Sequence, residues 1–380
     1  MPINKWLLGL GLILALLPTY LVRFTIFGLP TTFLEVILVI FLLSVLVSQY
    51  KQISSLKKLG ALNSVVLLFV LSGIISTLIS PEPIKALGQL KALIIEPVLF
   101  FYACALIIKK ESDLKIPLTM LLSSSLIISL FGLIQHQTLL GLPLRFWGFG
   151  EGVKRIVSVF EYPNALALYL GPLLAFFLAL IYSKSTLINR KLLFWTTGMG
   201  LIALVLTFSR GAWLAVLAVL AVLIGKKFSW KIAGAVLIII IIAIVFLQSG
   251  QRFSLSDTSS QTRIQLYQYA LTAVLANPLL GNGLHGFEAF GVLYPHNIFL
   301  NFWLELGLLG MLAFFGIITL SLKQYKIAPT SIKLAAAMFL LAVVVHGLVD
   351  VPYFKNDLSI LFWFMISIFY LSKNPASDRV

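Results

Sequence analysis

The sequence has one cysteine, Cys104, four histidines and thirteen acidic residues, and charged residues of both signs make up only 11% of its 380 positions. One cysteine excludes a disulfide framework within the chain and leaves the redox compartment unread. So few charges exclude an ordinary soluble domain, where about a quarter of residues are charged. Low-complexity linkers and strong internal repeats are also missing, so residues 1–380 read as one domain. The carboxylates do not suggest a metal site. Asp350 and Asp357 lack ligand spacing and only His346 accompanies them, so neither metal nor cofactor is expected.

What the chain has in abundance is apolar surface: it is 60% hydrophobic, with a mean hydropathy of +1.04. Apolar stretches of about 20 residues recur, the length that crosses a hydrocarbon core. The expected fold is therefore all-α, a polytopic membrane protein of about twelve transmembrane helices. The segments are 6–22, 31–50, 61–80, 88–108, 116–135, 163–183, 191–208, 211–225, 230–248, 296–320, 332–349 and 357–372. A membrane barrel would need short alternating segments instead. The first segment, just after Lys5, lacks a convincing cleavage site and reads as an anchor.

The lysine and arginine of the short loops divide about two to one between the two sides. The richer side holds both termini and is assigned to the cytoplasm. The loop 249–295, between the ninth and tenth spans, is then extracytoplasmic and is expected to contain short helices. The net charge of +15 follows from this topology and from attraction to anionic lipid. It does not point to nucleic acid, because no basic-aromatic platform or base-reading motif is present.

The two basic sets also differ in kind. The cytoplasmic set is almost all lysine, whereas the outer minority is mostly arginine: Arg23, Arg145, Arg155, Arg210, Arg252 and Arg263. A guanidinium fork holds phosphate oxygens through two parallel hydrogen bonds, which an ammonium cannot do. An arginine-rich outer face points to a phosphate or pyrophosphate ligand outside the membrane.

The stretch from Gln248 to about Gly310 gathers the remaining unusual residues, and with the segments before it carries a set of ordered motifs. They are Val159-Phe160-Glu161-Tyr162-Pro163-Asn164-Ala165, then Thr207-Phe208-Ser209-Arg210-Gly211-Ala212-Trp213, then Arg263 in a Thr262–Ala270 helix. Asn277-Pro278-Leu279-Leu280-Gly281-Asn282-Gly283 follows. Tyr294-Pro295-His296-Asn297 closes the series with Leu300, Glu305, Gly307 and Gly310. Together these resemble the O-antigen ligase and polymerase-like membrane proteins over roughly 155–310.

The resemblance implies a metal-independent, integral-membrane glycosyltransferase, and transfer by a single displacement would make it inverting. It would take a glycan from an undecaprenyl-pyrophosphate carrier at the outer face of the cytoplasmic (inner) membrane. The acceptor would be a lipid A core sugar, a growing glycan or a protein, and membrane lipids would surround the enzyme. Ligase and polymerase activities are not separated by these motifs, and a transporter with Glu35, Glu96 and Glu305 as coupling groups is the third reading. Carried over residue by residue, the catalytic set is Arg210, Arg263 and His296. Arg145, Arg155, Asn164, Tyr267 and Asn297 are the expected pyrophosphate- or glycan-binding residues.

The residue chemistry agrees with that assignment. Pyrophosphate is already a good leaving group, so fixed guanidinium groups that stabilise its charge contribute more than a strong acid. A histidine with an ordinary pKa near 6.5 suits proton acceptance from an acceptor hydroxyl. Each residue also has a plainer reading. Arg210 could snorkel to the interface, Arg263 could be solvated and His296 could simply start a helix. Asn297 could bond its own backbone, and the 281–283 glycines could serve only a turn, with His285 on the surface. Lys91 and Glu96, five apart in one span, could form a buried pair or line a polar pore. Arg145, Lys154 and Arg155 form either a second basic patch or a solvated loop.

Overall fold

The computed structural model describes residues 4–148, 153–232, 234, 235, 238, 258–287 and 294–371. Most of the expected span 230–248 lies outside these residues, as do Gln248, Arg252 and parts of the loop 249–295.

Apolar runs become helices because helix alone satisfies its backbone within one segment. Among the described residues they are α1 (Lys5–Ala15), α2 (Phe33–Gln49), α3 (Ala61–Leu78), α4 (Pro83–Gln89), α5 (Glu96–Ile107), α6 (Lys115–Thr138) and α7 (Pro163–Tyr182). There follow α8 (Arg190–Leu206), α9 (Arg210–Lys227), α10 (Thr258–Ala276), α11 (Ile298–Ile327), α12 (Ser331–His346) and α13 (Asn356–Phe369). Among the described residues six helical stretches are long and apolar enough to cross a membrane: Phe33–Leu59, Ala61–Leu78, Pro83–Ile107, Glu111–Thr138, Pro163–Tyr182 and Ile298–Ile327. The shorter apolar helices are α1, α12 and α13.

Three local departures from the expected pattern have physical causes. The link between α1 and α2, expected on the outer side, is a hairpin, β1 (Arg23–Ile26) paired antiparallel with β2 (Leu29–Thr32). Phe27 and Gly28, both at positive φ, make its two-residue turn. Between α4 and α5 the chain widens into a π-helical turn, Leu90–Ile95, just before Pro97. Proline lacks the N–H that would bond four residues back and crowds that carbonyl. The carbonyl belongs to Leu93, and the Tyr353 hydroxyl donates to it at 2.6 Å instead. The third departure is a break in α11 at Gly307, whose φ is +68°. A Cβ there would lie 2.1 Å from the Leu279 oxygen, so only glycine lets the 277–283 turn dock on this helix.

The centre of the bundle is α7, almost entirely buried, with α12 packed along it and α9 against both. Small residues permit the close approach, Gly171 facing Ala212. A second centre is aromatic, where Phe69, Phe302, Phe314, Tyr353, Phe362 and Trp363 are in mutual contact.

The linking segments expected on the outer face come together at one end of this bundle. Ile156 donates to the Leu206 carbonyl, Ile298 to Gly347, and the Ser80 hydroxyl to Leu284. That end carries the candidate site.

Candidate active site

His296 is placed by its neighbours on both sides. Asn297 caps α11, its side-chain oxygen accepting from the N–H groups of Phe299 and Leu300 at 3.0 and 3.1 Å. Its amide nitrogen donates to the Leu348 carbonyl at 3.1 Å. The plainer reading of Asn297 thus holds, and the same contacts fasten α11 to the segment that follows α12. His296 itself has φ +52°, a conformation that side chains other than glycine seldom adopt. The Tyr267 hydroxyl lies 3.1 Å from the His296 carbonyl and 3.2 Å from that of Leu348, linking α10 to the same point.

The imidazole Nδ1 is 3.4 Å from Oδ1 of Asp350. Asp350 is buried, its side chain 4% exposed, while the His296 side chain is 22% exposed. Burial opposes the carboxylate, but the hydrogen bond from His296, the neighbouring imidazoles and the Val351 N–H hold its pKa below the usual value of 3.8. Asp350 is therefore the charged partner of His296. A carboxylate accepts, so Nδ1 carries the hydrogen and Nε2 is left as the basic nitrogen; this tautomer is assigned from the contacts.

Asp350 was singled out in the sequence only as a poor metal ligand, and its pairing with His296 is what sequence reasoning missed. No spacing rule links residues 54 positions apart. The weak local signal was His346 four residues earlier, whose carbonyl accepts the Asp350 N–H at 3.0 Å. Among the described residues no group of three or more histidine, cysteine or acidic side chains is arranged to hold a metal ion.

The two expected catalytic arginines lie on helices that reach the 346–350 segment. Arg210 is the first residue of α9, and Gly211 abuts the 346–350 segment. A Cβ on Gly211 would come within 2.5 Å of Val349 Cγ2 and 2.9 Å of His346 Cδ2. Arg263, on α10 one turn before Tyr267, is close enough for its charge to act on both Tyr267 and His346. The helix that carries it runs over Thr258–Ala276, longer than the expected 262–270, and buries Leu266, Ala270 and Val274 against Phe287 and Leu304. Its apolar stripe fixes the face that Arg263 and Tyr267 occupy.

The remaining expected residues are bonded to protein. Arg155 Nε donates to the Thr207 carbonyl at 2.8 Å, and its NH2 group donates to Asn164 Oδ1 at 2.9 Å. It thus ties the start of α7 to the end of α8, three residues before Arg210. Arg145 bonds the Glu161 carbonyl at 3.4 Å, and Lys154 bonds that of His136 at 2.6 Å. These three cations anchor the 137–162 loop to backbone oxygens. Lys91 pairs with Glu35 at 3.4 Å, across two helices, where the sequence suggested Glu96. His285 sits 3.1 Å from Gln89 Nε2, and the glycine turn beside it docks onto α11 through the Asn282 N–H and the Leu304 carbonyl.

Aromatic groups complete the surroundings. The Tyr294 ring lies edge-on to His296 with centroids 4.7 Å apart. Its hydroxyl is hydrogen-bonded to Tyr162. Burial pushes the Tyr162 hydroxyl up to about 12 and that of Tyr294 higher still, so both remain protonated. Lys355 lies over the Tyr162 ring at 4.5 Å.

Three helix ends, α10 and two loops thus carry a histidine–aspartate pair, two arginines and a tyrosine pair at one end of a multi-pass helical protein. The O-antigen ligase family matches residues 192–315, which include Arg210, Arg263 and His296. Over that third of the chain it is similar to the O-antigen ligase-like proteins, which supports a glycosyl-transferring role in polysaccharide synthesis. No curated protein matches the chain.

Proposed function

We propose that this protein transfers a glycan from an undecaprenyl-pyrophosphate carrier to an acceptor hydroxyl at the outer face of the cytoplasmic membrane. The observation that carries the reading is the pairing of His296 with Asp350, on a segment that α9 approaches at Gly211 and whose His346 lies within reach of the Arg263 charge. About twelve spans, cytoplasmic termini and an outer 249–295 loop complete it. The acceptor oxygen attacks the anomeric carbon and forms the new C–O bond. The bond from that carbon to the pyrophosphate oxygen breaks, and its electron pair leaves with the pyrophosphate. The hydroxyl proton passes to His296 Nε2, while Asp350 holds the ring in the required tautomer and stabilises the imidazolium. Arg210 and Arg263 stabilise the departing charge from fixed positions. One displacement at one carbon inverts its configuration, and the guanidinium groups supply the positive charge without a metal ion.

The test is transfer by the purified protein from the lipid-linked glycan, in wild type and in His296→Ala, Arg210→Ala and Arg263→Ala. Each variant should insert and bind donor yet lose transfer, and Arg→Lys should rescue poorly because the fork is lost. Wild-type turnover in either arginine variant removes the pyrophosphate assignment. Activity that vanishes in chelator and returns with a divalent ion removes the metal-free step. A wild type that moves the lipid without forming a glycosidic bond makes the protein a transporter.

A further inference from the structure

The β1–β2 hairpin, α4 with its π-helical turn, His285 and the 354–356 segment surround a cavity of about 570 Å³. That size lies within the range of small-ligand sites, about 300–1,000 Å³. Three observations describe what it would accept.

Its charges are matched. Arg23 pairs with Glu161 at 3.1 Å, Lys85 with Glu82 at 3.4 Å, and Glu35 with Lys91 at 3.4 Å. A wall of matched charges favours an uncharged polar ligand over a polyanion. The wall also holds a hydrogen-bond acceptor without a partner among the described residues. Gln89 is held through Nε2 against His285, while its buried Oε1 has no hydrogen-bond partner among the described residues. A buried acceptor of this kind calls for a donor from a ligand or water. The wall also combines the rings of Phe24 and Phe354 with the polar groups of Thr25 and Asn356. A pyranose has an apolar C–H face and a rim of hydroxyls, which is the complement of that wall.

The cavity is joined to the reaction centre by adjoining side chains. Between Phe354 and Asn356, Lys355 lies over the Tyr162 ring; Tyr162 bonds Tyr294, and Tyr294 contacts His296. We infer that this cavity binds the acceptor saccharide, with Gln89 and Asn356 as hydrogen-bonding residues and Phe24 and Phe354 as ring contacts. The inference rests on the glycosyl-transfer reading and adds the acceptor's place to it.

The same sugar chemistry could come from a growing glycan or from an envelope glycolipid, and two probes separate them. One is the oligosaccharide released by mild acid from the producing organism's undecaprenyl-linked pool; the other is the oligosaccharide of its envelope glycolipid. Binding of each to the full chain in lipid nanodiscs, with no donor present, is followed by saturation-transfer difference NMR. At least one probe should bind, inorganic pyrophosphate should not displace it, and Gln89→Leu and Phe24→Ala should each weaken it about tenfold. Phe24 is on the exposed hairpin, so its variant tests the cavity even if Gln89→Leu fails to fold. In transfer assays the same variants should raise the acceptor KM about tenfold and leave the donor KM unchanged.

Binding of neither probe, displacement by pyrophosphate, or unchanged binding in both variants overturns the assignment. A wild type that binds a probe but never transfers to it sinks the glycosyl-transfer reading alone. Wild-type transfer with an unaltered acceptor KM in both variants sinks the cavity alone.

Discussion

Asp350 Oδ1 stands 3.4 Å from His296 Nδ1, bringing together residues from two segments that the chain separates by two helices. The contact is secured by backbone rather than by the side chains themselves. Ile298 N–H donates to the Gly347 carbonyl at 2.7 Å, and Asn297 and Tyr267 both reach Leu348. The pair is therefore positioned before any substrate arrives, as an acid–base group must be for efficient proton transfer.

Replacing Asp350 by asparagine keeps the shape and removes the charge that fixes the imidazole. Asparagine can present its amide nitrogen to Nδ1, which then accepts and leaves the hydrogen on Nε2, the wrong tautomer for a base. The expected loss in kcat is about 10²–10⁴-fold, the usual contribution of a positioned general base, with the donor KM little changed. Steady-state transfer by purified Asp350→Asn checks it. A kcat within threefold of wild type would mean that His296 acts without its partner.

Asp350 also links stability to pH. Its folded pKa lies below the ordinary 3.8, because its hydrogen bonds and nearby imidazoles outweigh the cost of burial. A depressed carboxylate adds stability that is complete above the unfolded value and is lost as pH falls through the folded one. Thermal unfolding in detergent should thus show a loss of wild-type stability as pH falls below about 3.8. That part of the loss should be missing from Asp350→Asn. Parallel curves for the two proteins would show that the Asp350 pKa is not depressed by folding.

Some of this architecture was legible in the sequence. The apolar runs mark helices because backbone in lipid must satisfy itself locally, and His296 and Arg210 stand out because they break that monotony near segment ends, as Arg263 does within the 249–295 loop. The Asn297 cap and the turn at Gly281–Gly283 follow from short-range rules. Asp350 was not legible as the partner of His296, since only packing brings positions 296 and 350 together. Nor was the pairing of Lys91 with Glu35, because a helical count along one segment says nothing about the helix beside it. Arg145, Lys154 and Arg155 read from charge alone as either a basic patch or a solvated loop, and their bonds to backbone carbonyls could not be read from the sequence.

Gly211 tests how tightly α9 must approach the site. A methyl group there would meet Val349 and His346 well inside contact distance, and His346 is buried with little room to move. Overpacking of this kind costs about 1–3 kcal/mol, and relief by shifting α9 would carry Arg210 away from the 346–350 segment. Gly211→Ala should therefore lower both the unfolding temperature and kcat. Gly198, inside α8 with nothing within 4 Å of an added Cβ, is the control, and Gly198→Ala should leave kcat within error and not lower the unfolding temperature. Equal behaviour of the two variants would show that the contact at Gly211 is slack.

The orientation of the whole assembly can be read with one thiol. Cys104 is fully buried, so the wild type should resist an impermeant maleimide from either side. Phe27, at the hairpin tip, is 102% exposed and lies at the end of the molecule that carries His296 and Arg210, whereas Lys58 is exposed among the lysines at the other end. The lysine bias assigns the Lys58 end to the cytoplasm. Phe27→Cys should then be labelled in spheroplasts and protected in sealed inside-out vesicles, and Lys58→Cys should show the reverse. The opposite result would turn the arginine-bearing end toward the cytoplasm. A pyrophosphate-linked glycan displayed at the outer leaflet could not then be its substrate, whatever the activity of His296 variants.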